Sequence, residues 1–339
     1  MKILLNFVKE YKALFISLLV FSLLIISTLK YTSYKRGLWE KDIRGQLMEQ
    51  LVSSKSKLEK ALYSRIYYTK GVAAYVSFNP EITDKEFQQL ANELVKTDSV
   101  ISTMALSKNC IIGSIYPLKG HEAAIGLDLL AHPERKEIVE QTINTHKTFI
   151  AGPVELIEGG IAFISYTPIF DKTSDNEVFW GITDIVIYKN QLFDEAGLIE
   201  NKEGFLYALK GYNGKGETGE IFWGNSTVFD SNPVKIQIDL PDGVWILAAV
   251  PENGWGIYIN QDRALTYALI FSSLIISILV GFVAMAIFKI QKNEKEQNAI
   301  FASMESLIVE IDKDGRYLKL PPTNSKLLYK PANELLGKT

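Results

Sequence analysis

The chain has 339 residues, 47% of them hydrophobic and 22% charged, with a formal charge of −3 and a single cysteine. That balance, without clusters of Lys and Arg on one stretch, excludes a phosphate-backbone partner, so no nucleic acid is expected. One cysteine excludes a disulfide within the chain; stability must come from a packed core, in which Cys110 reads as a small buried residue rather than a reactive thiol.

Two apolar runs, Ala13 to Leu29 and Ala264 to Phe288, stand out in an otherwise soluble pattern. A helix needs about 20 apolar residues to cross a hydrocarbon core of about 30 Å, and both runs are long enough. No small-x-small cleavage site follows the first run, so it reads as an anchor and not a removed signal peptide. Lys289, Lys292 and Lys295 follow the second run while Arg263 and Asp262 precede it, which puts its C-terminal side in the cytoplasm. With two spans, residues 31–263 then face outward. The expected location is the plasma (inner) membrane of a multi-pass protein whose outer segment is extracytoplasmic or periplasmic, with the lipid bilayer as a partner.

After the first span, Leu47, Leu51, Leu58 and Leu62, with Ala61 and Ile66, recur at helical spacing. They predict an amphipathic helix from Gly37 to Val76, a stalk continuous with the membrane helix. Its Leu seam suits either a second copy of the chain, giving a homodimer through stalk and transmembrane helices, or the chain's own domain. Asn79-Pro80 ends the helix, and Thr83 with Glu86 is a capping box that opens another through Val95. Short β-rich runs follow at Ser99 to Leu106, Ile111 to Tyr116, Thr148 to Leu156, Gly160 to Phe170 and Val178 to Ile187, with Pro133 to His146 helical. A second group of strands is expected at Gly204 to Leu209, Gly219 to Gly224, Val234 to Leu240 and Val244 to Val250, with turns at Asn213-Gly214 and Asp242-Gly243. Phe-Trp-Gly occurs in both groups, at 179–181 and 222–224. Past the second span, Lys289 to Ala299 reads as a charged helix, and Leu307 to Ile311 with Arg316 to Leu320 as a hairpin closed at Asp314-Gly315.

The segment carrying Gly71-Val-Ala-Ala-Tyr-Val76, Thr83 with Phe87, Ile115-Tyr-Pro117, Ala124-Ile-Gly-Leu-Asp128, Pro133-Glu-Arg135, Gly152-Pro-Val-Glu-Leu156 and Pro168-Ile-Phe170 resembles the CHASE sensor family of plant hormone receptors and of bacterial histidine kinases and cyclases. The resemblance implies an α+β fold in which a long stalk helix carries a membrane-distal and a membrane-proximal PAS-like subdomain, with a ligand inside the distal one. Ile308-Val-Glu-Ile-Asp312, Leu327-Leu-Tyr-Lys-Pro331 and Glu334-Leu-Leu-Gly-Lys-Thr339 resemble the start of a PAS domain. The organisation expected is therefore a cytoplasmic N-terminus over 1–12, a transmembrane helix over 13–31, the stalk over 32–79, the distal subdomain over 80–190 and the proximal one over 191–263. A second transmembrane helix over 264–288, a linker helix over 289–300 and the N-terminal part of a PAS domain over 301–339 complete it.

Plant members of the family hold an adenine-type hormone with an acid ahead of the Gly-Leu-Asp segment and a Thr before the Gly-Pro pair. Here Leu118 to Gly120 has no acid and Ala151 no hydroxyl, so a different small molecule is expected. Strand alternation nominates Tyr116, Ala151, Phe163, Ser165 and Gly181 for its binding.

The residues call for no cofactor and no catalytic group. His121, His132 and His146 are spaced too widely for a zinc pair on one helical face. Gly211 to Gly219 contains Gly-Lys without the phosphate-loop spacing and reads as a hairpin loop. Asn225-Ser-Thr227 fits a glycan acceptor, and Asp171 to Glu177 lacks calcium-loop spacing. The expectation is a receptor that binds an extracytoplasmic ligand and signals to a cytoplasmic PAS and output module outside this sequence. The alternatives are the regulatory half of a diguanylate cyclase or sensor histidine kinase, and a membrane tether without signalling.

Overall fold

The computed structural model describes residues 11–156, 159–173, 177–256, 263–321, 323 and 327–338. Of the sequence expectations, the segment before Tyr11, the centre of the acidic loop Asp171 to Glu177, and Asp262 lie outside these residues. Leu38–Ile257 form one compact unit; Met1–Gly37 with Tyr258–Thr339 form another.

In the larger unit, helix α1 (Lys12–Phe78) supplies its residues from Leu38 onward. Helix α2 (Asp84–Val95) follows, opened as expected: the Thr83 hydroxyl accepts from the Glu86 amide, and the Glu86 carboxylate accepts from the Thr83 amide. Strands β1 (Ile101–Lys108) and β2 (Ile111–Tyr116), helix α3 (Pro133–Thr145), and strands β3 (Phe149–Glu155), β4 (Ile161–Asp171) and β5 (Val178–Tyr188) complete a first sheet, antiparallel throughout, in the order β2-β1-β5-β4-β3. Helix α4 (Lys189–Ala196) leads to β6 (Asn201–Lys202), β7 (Phe205–Lys210), β8 (Ile221–Gly224), β9 (Val234–Asp239) and β10 (Val244–Pro251). These form a second sheet, ordered β6-β7-β10-β9 with β8 also paired to β7.

Of the two partners open to the Leu seam of α1, the structure supplies the chain's own sheets. Leu47, Leu51, Leu58, Leu62, Ile66, Val72 and Val76 are fully buried, a stripe at helical spacing that continues the seam read from sequence. Polar contacts flank it. Lys55 Nζ lies 2.9 Å from Asp239 Oδ2 on β9, and the Gln50 side chain accepts from the Tyr207 hydroxyl on β7. Nearer the first sheet, Arg65, 4% exposed, reaches Asp98 at 2.8 Å and Glu195 at 2.6 Å. One buried guanidinium thus ties α1 to the loop before β1 and to α4. The opposite face of α1 leaves Met48, Val52 and Tyr67 exposed.

The two Phe-Trp-Gly segments play the same part in the two sheets. A Cβ built on Gly181 would lie 2.1 Å from the Ser107 carbonyl oxygen of β1, and one built on Gly224 would lie 2.1 Å from that of Tyr207 on β7. In each case the strand is pressed onto its neighbour's backbone where only glycine fits, and Gly224 also has φ of +80°.

The sequence did not announce α4, although Leu192, Phe193 and Ala196 are buried and Gly197 ends the helix in a left-handed conformation, φ 66°. The turn expected at Asn213-Gly214 is instead part of a longer loop of two 3-10 turns, because the Asn213 side chain turns away to accept the Gly152 amide of β3 at 2.7 Å. His132 and His146 sit at the two ends of α3, and Cys110 is buried. Asn225 Oδ1 is engaged by the amide and hydroxyl of Thr227.

In the smaller unit the N-terminal part of α1 pairs with helix α5 (Arg263–Ser303). Each contains a segment long and apolar enough to cross a membrane. Ser17 Oγ donates to the Ser277 carbonyl at 2.7 Å, and Gly281 stands against Ser17, so small residues let the two helices approach. Beyond α5, strands β11 (Glu310–Ile311) and β12 (Tyr317–Lys319) form the expected hairpin, and a short helix α6 (Ala332–Leu335) follows.

Substituting Gly181→Ala or Gly224→Ala forces backbone to move and should each destabilise the protein by about 1–3 kcal/mol. Leu58→Ala empties a fully buried site and should cost about 2–5 kcal/mol. Thermal unfolding of the full chain in detergent checks all three; an unchanged Tm for the glycine variants would contradict the close approach.

Candidate functional site

The first sheet is covered on both faces, as the almost unbroken burial of β1 and β5 shows. One face carries Ala105, Ile112, Ile164, Tyr166, Ile182 and Val186, packed under Ile138 and Val139 of α3. The other carries Phe163, whose ring lies 4.8 Å from that of Trp245 on β10 and 5.8 Å from that of Phe193 on α4. Thr167 lies on this second face too, its hydroxyl 2.8 Å from that of Thr69 on α1.

On the α3 face the packing is incomplete. A cavity of about 160 Å³ lies over the centre of the sheet, among Ala105, Ile112, Ile164, Asp184, Val186 and, from α3, Arg135. Its roof is the segment between β2 and α3, through His121, Ala123, Ala124 and Leu127. Local chemistry explains why this segment stays in place. The Ile112 amide donates to Leu127 O (3.0 Å), Gly126 N to Ile112 O (2.8 Å) and Leu129 N to Cys110 O (2.9 Å), so the roof runs beside the edge strand β2 like a further strand. The Asp128 carboxylate then accepts from the amides of Leu130 and Ala131 and turns the chain toward α3. The Gly-Leu-Asp segment singled out in the sequence is this pinned edge, and Leu156, last of the Gly-Pro-Val-Glu-Leu run, lines the cavity beside it.

Asp184 dominates the electrostatics of this site. It stands on β5, the middle strand, is 5% exposed, and its Oδ2 has no hydrogen-bond partner. Directly across on β4 is Tyr166, 1% exposed, whose hydroxyl also lacks a partner. Burial pushes the Asp184 carboxyl up to about 6, against the opposing pull of the Arg135 charge, and raises Tyr166 well above the usual phenol range. Cys110, behind the roof, is pushed up to about 11 by burial and then by the Asp128 charge, which leaves it a thiol at neutral pH. Among the described residues no group of His, Cys, Asp and Glu is placed to hold a metal ion.

None of the five residues nominated from strand alternation lines this cavity. Ala151 belongs to the core on the same face, away from the opening. Phe163 and Ser165 are on the opposite face, Ser165 buried there with its hydroxyl unpartnered. Tyr116 donates to Asn92 of α2 at 2.6 Å, and Gly181 is the close approach of β5 to β1 described above. The reason is physical: when both faces of a sheet are buried, hydrophobic alternation no longer distinguishes them. Asp184 did leave a signal, since an acid in Ile182-Thr-Asp-Ile-Val-Ile-Tyr188 interrupts an otherwise apolar strand.

The larger unit thus holds a cavity with a buried carboxylate in its floor beneath a hydrogen-bonded roof segment. The CHASE domain family model matches residues 76–222, from the end of α1 into β8. No curated protein gives a match. Among solved structures the chain is similar to the ligand-binding domain of the amino acid chemoreceptor PctC of Pseudomonas aeruginosa in complex with GABA, at 11% identity over 61% of this chain and 98% of that one, TM-score 0.48. It is similar also to the sensory domain of the Campylobacter jejuni chemoreceptor Tlp3, at 9% identity over 65% of this chain and 98% of that one, TM-score 0.46. An extracellular ligand binding receptor from Desulfohalobium retbaense matches at 13% identity over 59% of this chain, TM-score 0.45, and there the match spans 39% of the solved chain.

The Asp184 carboxyl has a folded value near 6 against an ordinary 3.8, so between those values the folded protein holds a proton that the unfolded chain has released. Stability is therefore highest on the acid side and falls as pH rises toward 6 and above. The folded protein should be about 1 kcal/mol less stable at pH 7 than at pH 5 through this group alone, with Arg135, His121 and Tyr166 the other titratable or charged neighbours. Asp184→Asn should flatten that slope, which denaturant titrations at the two pH values will show; an unchanged slope would mean that Asp184 is solvated.

Proposed function

We propose that the chain is the sensing part of a membrane-bound receptor, and that a small extracytoplasmic molecule binds in the cavity under the 118–127 roof of the first sheet. The observation that carries this reading is the unfilled cavity itself, floored by a buried carboxylate on a sheet whose reverse face packs on α1. The CHASE match over 76–222 supports it. So does the presence of two helices long and apolar enough to cross a membrane, one of which is the N-terminal part of α1 itself.

In this reading the two helices anchor the protein in the plasma (inner) membrane with the intervening segment outside. The first sheet is the distal subdomain of a CHASE-type sensor and the second the proximal one, both PAS-like, and residues 301–339 begin a cytoplasmic PAS domain. Ligand binding shifts packing on the cavity side, and the change crosses a single layer of strands to Thr167, Phe163 and α1. A ligand moves such an equilibrium only by its difference in affinity for two states, typically a coupling of about 1–3 kcal/mol. The output module, a diguanylate cyclase or histidine kinase in the simplest arrangement, lies outside this sequence. If two receptors pair along their stalks, the contact uses the exposed face with Met48 and Val52, since the Leu seam is occupied.

The test is a small-molecule screen by thermal shift on the full chain in lipid nanodiscs. A ligand at about 100 times its Kd should add about 2.7 kcal/mol of stability. Ala123→Trp, a substitution on the exposed roof, should close the opening and remove the shift without lowering the ligand-free Tm. A ligand whose shift survives Ala123→Trp binds elsewhere, and the cavity assignment fails.

A further inference from the structure

We propose that the cleft between the start of α1 and the end of the apolar run of α5 binds an anionic phospholipid, with Lys12, Lys292 and Lys295 holding its phosphate. The inference rests on the membrane-anchored reading above and adds to it a lipid site at the cytoplasmic end of the two helices.

The helices run antiparallel and meet through small residues, Ser17 against Ser277 and Gly281. Toward the start of α1 the seam of α5 passes from these to Met285 and Phe288, and there a cleft of about 480 Å³ opens, lined by both helices. That is room for an organic ligand, whose sites run from about 300 to 1,000 Å³. Its lining is divided by polarity. Leu14, Met285 and Phe288 make one part apolar, while Lys12, Lys292 and Lys295 make the other cationic. Phe288 ends the apolar run and Lys292 and Lys295 follow it, so the division falls where α5 leaves the hydrocarbon. Lys12 stands at the same level, its Nζ 5.9 Å from the centre of the Phe288 ring.

Little neutralises these charges. Among the described residues no carboxylate lines the cleft and no ion pair engages Lys12 or Lys295; Lys292 meets Glu296 at 3.8 Å, with both side chains mostly exposed. Phe288 and Lys295 are about 10 Å apart along the helix axis, so the three ammonium groups share one short stretch and repel one another until an anion sits among them. A free phosphate matches only the cationic part of the cleft, and an uncharged lipid only the apolar part. An anionic phospholipid supplies both, in the order in which the cleft presents them across the bilayer boundary.

The experiment uses the full chain in detergent micelles, with native mass spectrometry counting the lipid that stays bound as phosphatidylglycerol or phosphatidylcholine of the same acyl chains is titrated in. We expect phosphatidylglycerol to bind about 10- to 100-fold more tightly, and that preference to fall about 5-fold in each of Lys12→Gln, Lys292→Gln and Lys295→Gln. Glycerol 3-phosphate should displace nothing. Lys289→Gln, which removes the same charge from the same end of α5 outside the cleft, should leave the preference intact. An equal loss in Lys289→Gln reveals a diffuse basic surface and overturns the site, as does equal retention of the two lipids. Displacement by glycerol 3-phosphate gives the cleft to a free anion and overturns the lipid assignment. Alkaline washing of membranes carrying the chain separates the two readings: a chain released by it is not embedded, which overturns the anchored reading and this site together, whereas an embedded chain without lipid preference overturns the site alone.

Discussion

Both sheets of the larger unit are tied to helix α1, whose stripe from Leu47 to Val76 is buried within that unit. The first sheet has its own core under α3 on one face, and the helix lies on the other. Polar contacts at two levels fix the register of the helix against both sheets. Lys55 and Gln50 hold the second sheet, while Arg65, with Asp98 and Glu195, holds the first. Removing one partner of a buried ion group such as Arg65 leaves an uncompensated charge, so this junction favours one arrangement strongly over its alternatives. A helix packed in this way cannot slide relative to one sheet without disturbing the other.

The same arrangement places the cavity and the helix on opposite sides of one layer of strands. Ile164 faces the cavity, and its chain neighbours Phe163 and Ser165 face the other way. Phe163 meets Trp245 and Phe193, and so touches the second sheet and α4 at once. A shift of β4 on filling the cavity must therefore appear on the reverse face, where close packing leaves little room to absorb it. On the proposed reading, that gives ligand binding a short physical route through named side chains to α4 and the second sheet.

The sequence made the helix seam, the capping box at Thr83 and most strands legible, because each rests on local chemistry: periodicity, a reciprocal hydrogen bond, or a run bounded by turn residues. The two Phe-Trp-Gly segments were visible as text, but their common role as a glycine pressed on a neighbouring strand needed the strand pairing. The site was harder to read. A sheet buried on both faces gives alternation no polarity, and so the nominated Phe163 and Ser165 lie on the face away from the proposed cavity while Asp184 went unmarked. Helix α4 had its signal in Gly197, but at eight residues it was too short for its periodicity to stand out. The Asn213 bond to Gly152 joins positions far apart in the chain and left no local trace at all.

The most direct test of the account is amide hydrogen exchange on the full chain in nanodiscs, with and without the first small molecule found to raise its Tm. Binding in the cavity predicts slower exchange in the roof between Leu118 and Leu130 and at the start of α3, with a second change across the sheet in β4 and the facing turns of α1. Protection confined to the second sheet, or to α1 with the roof unaffected, would contradict it and place the ligand elsewhere.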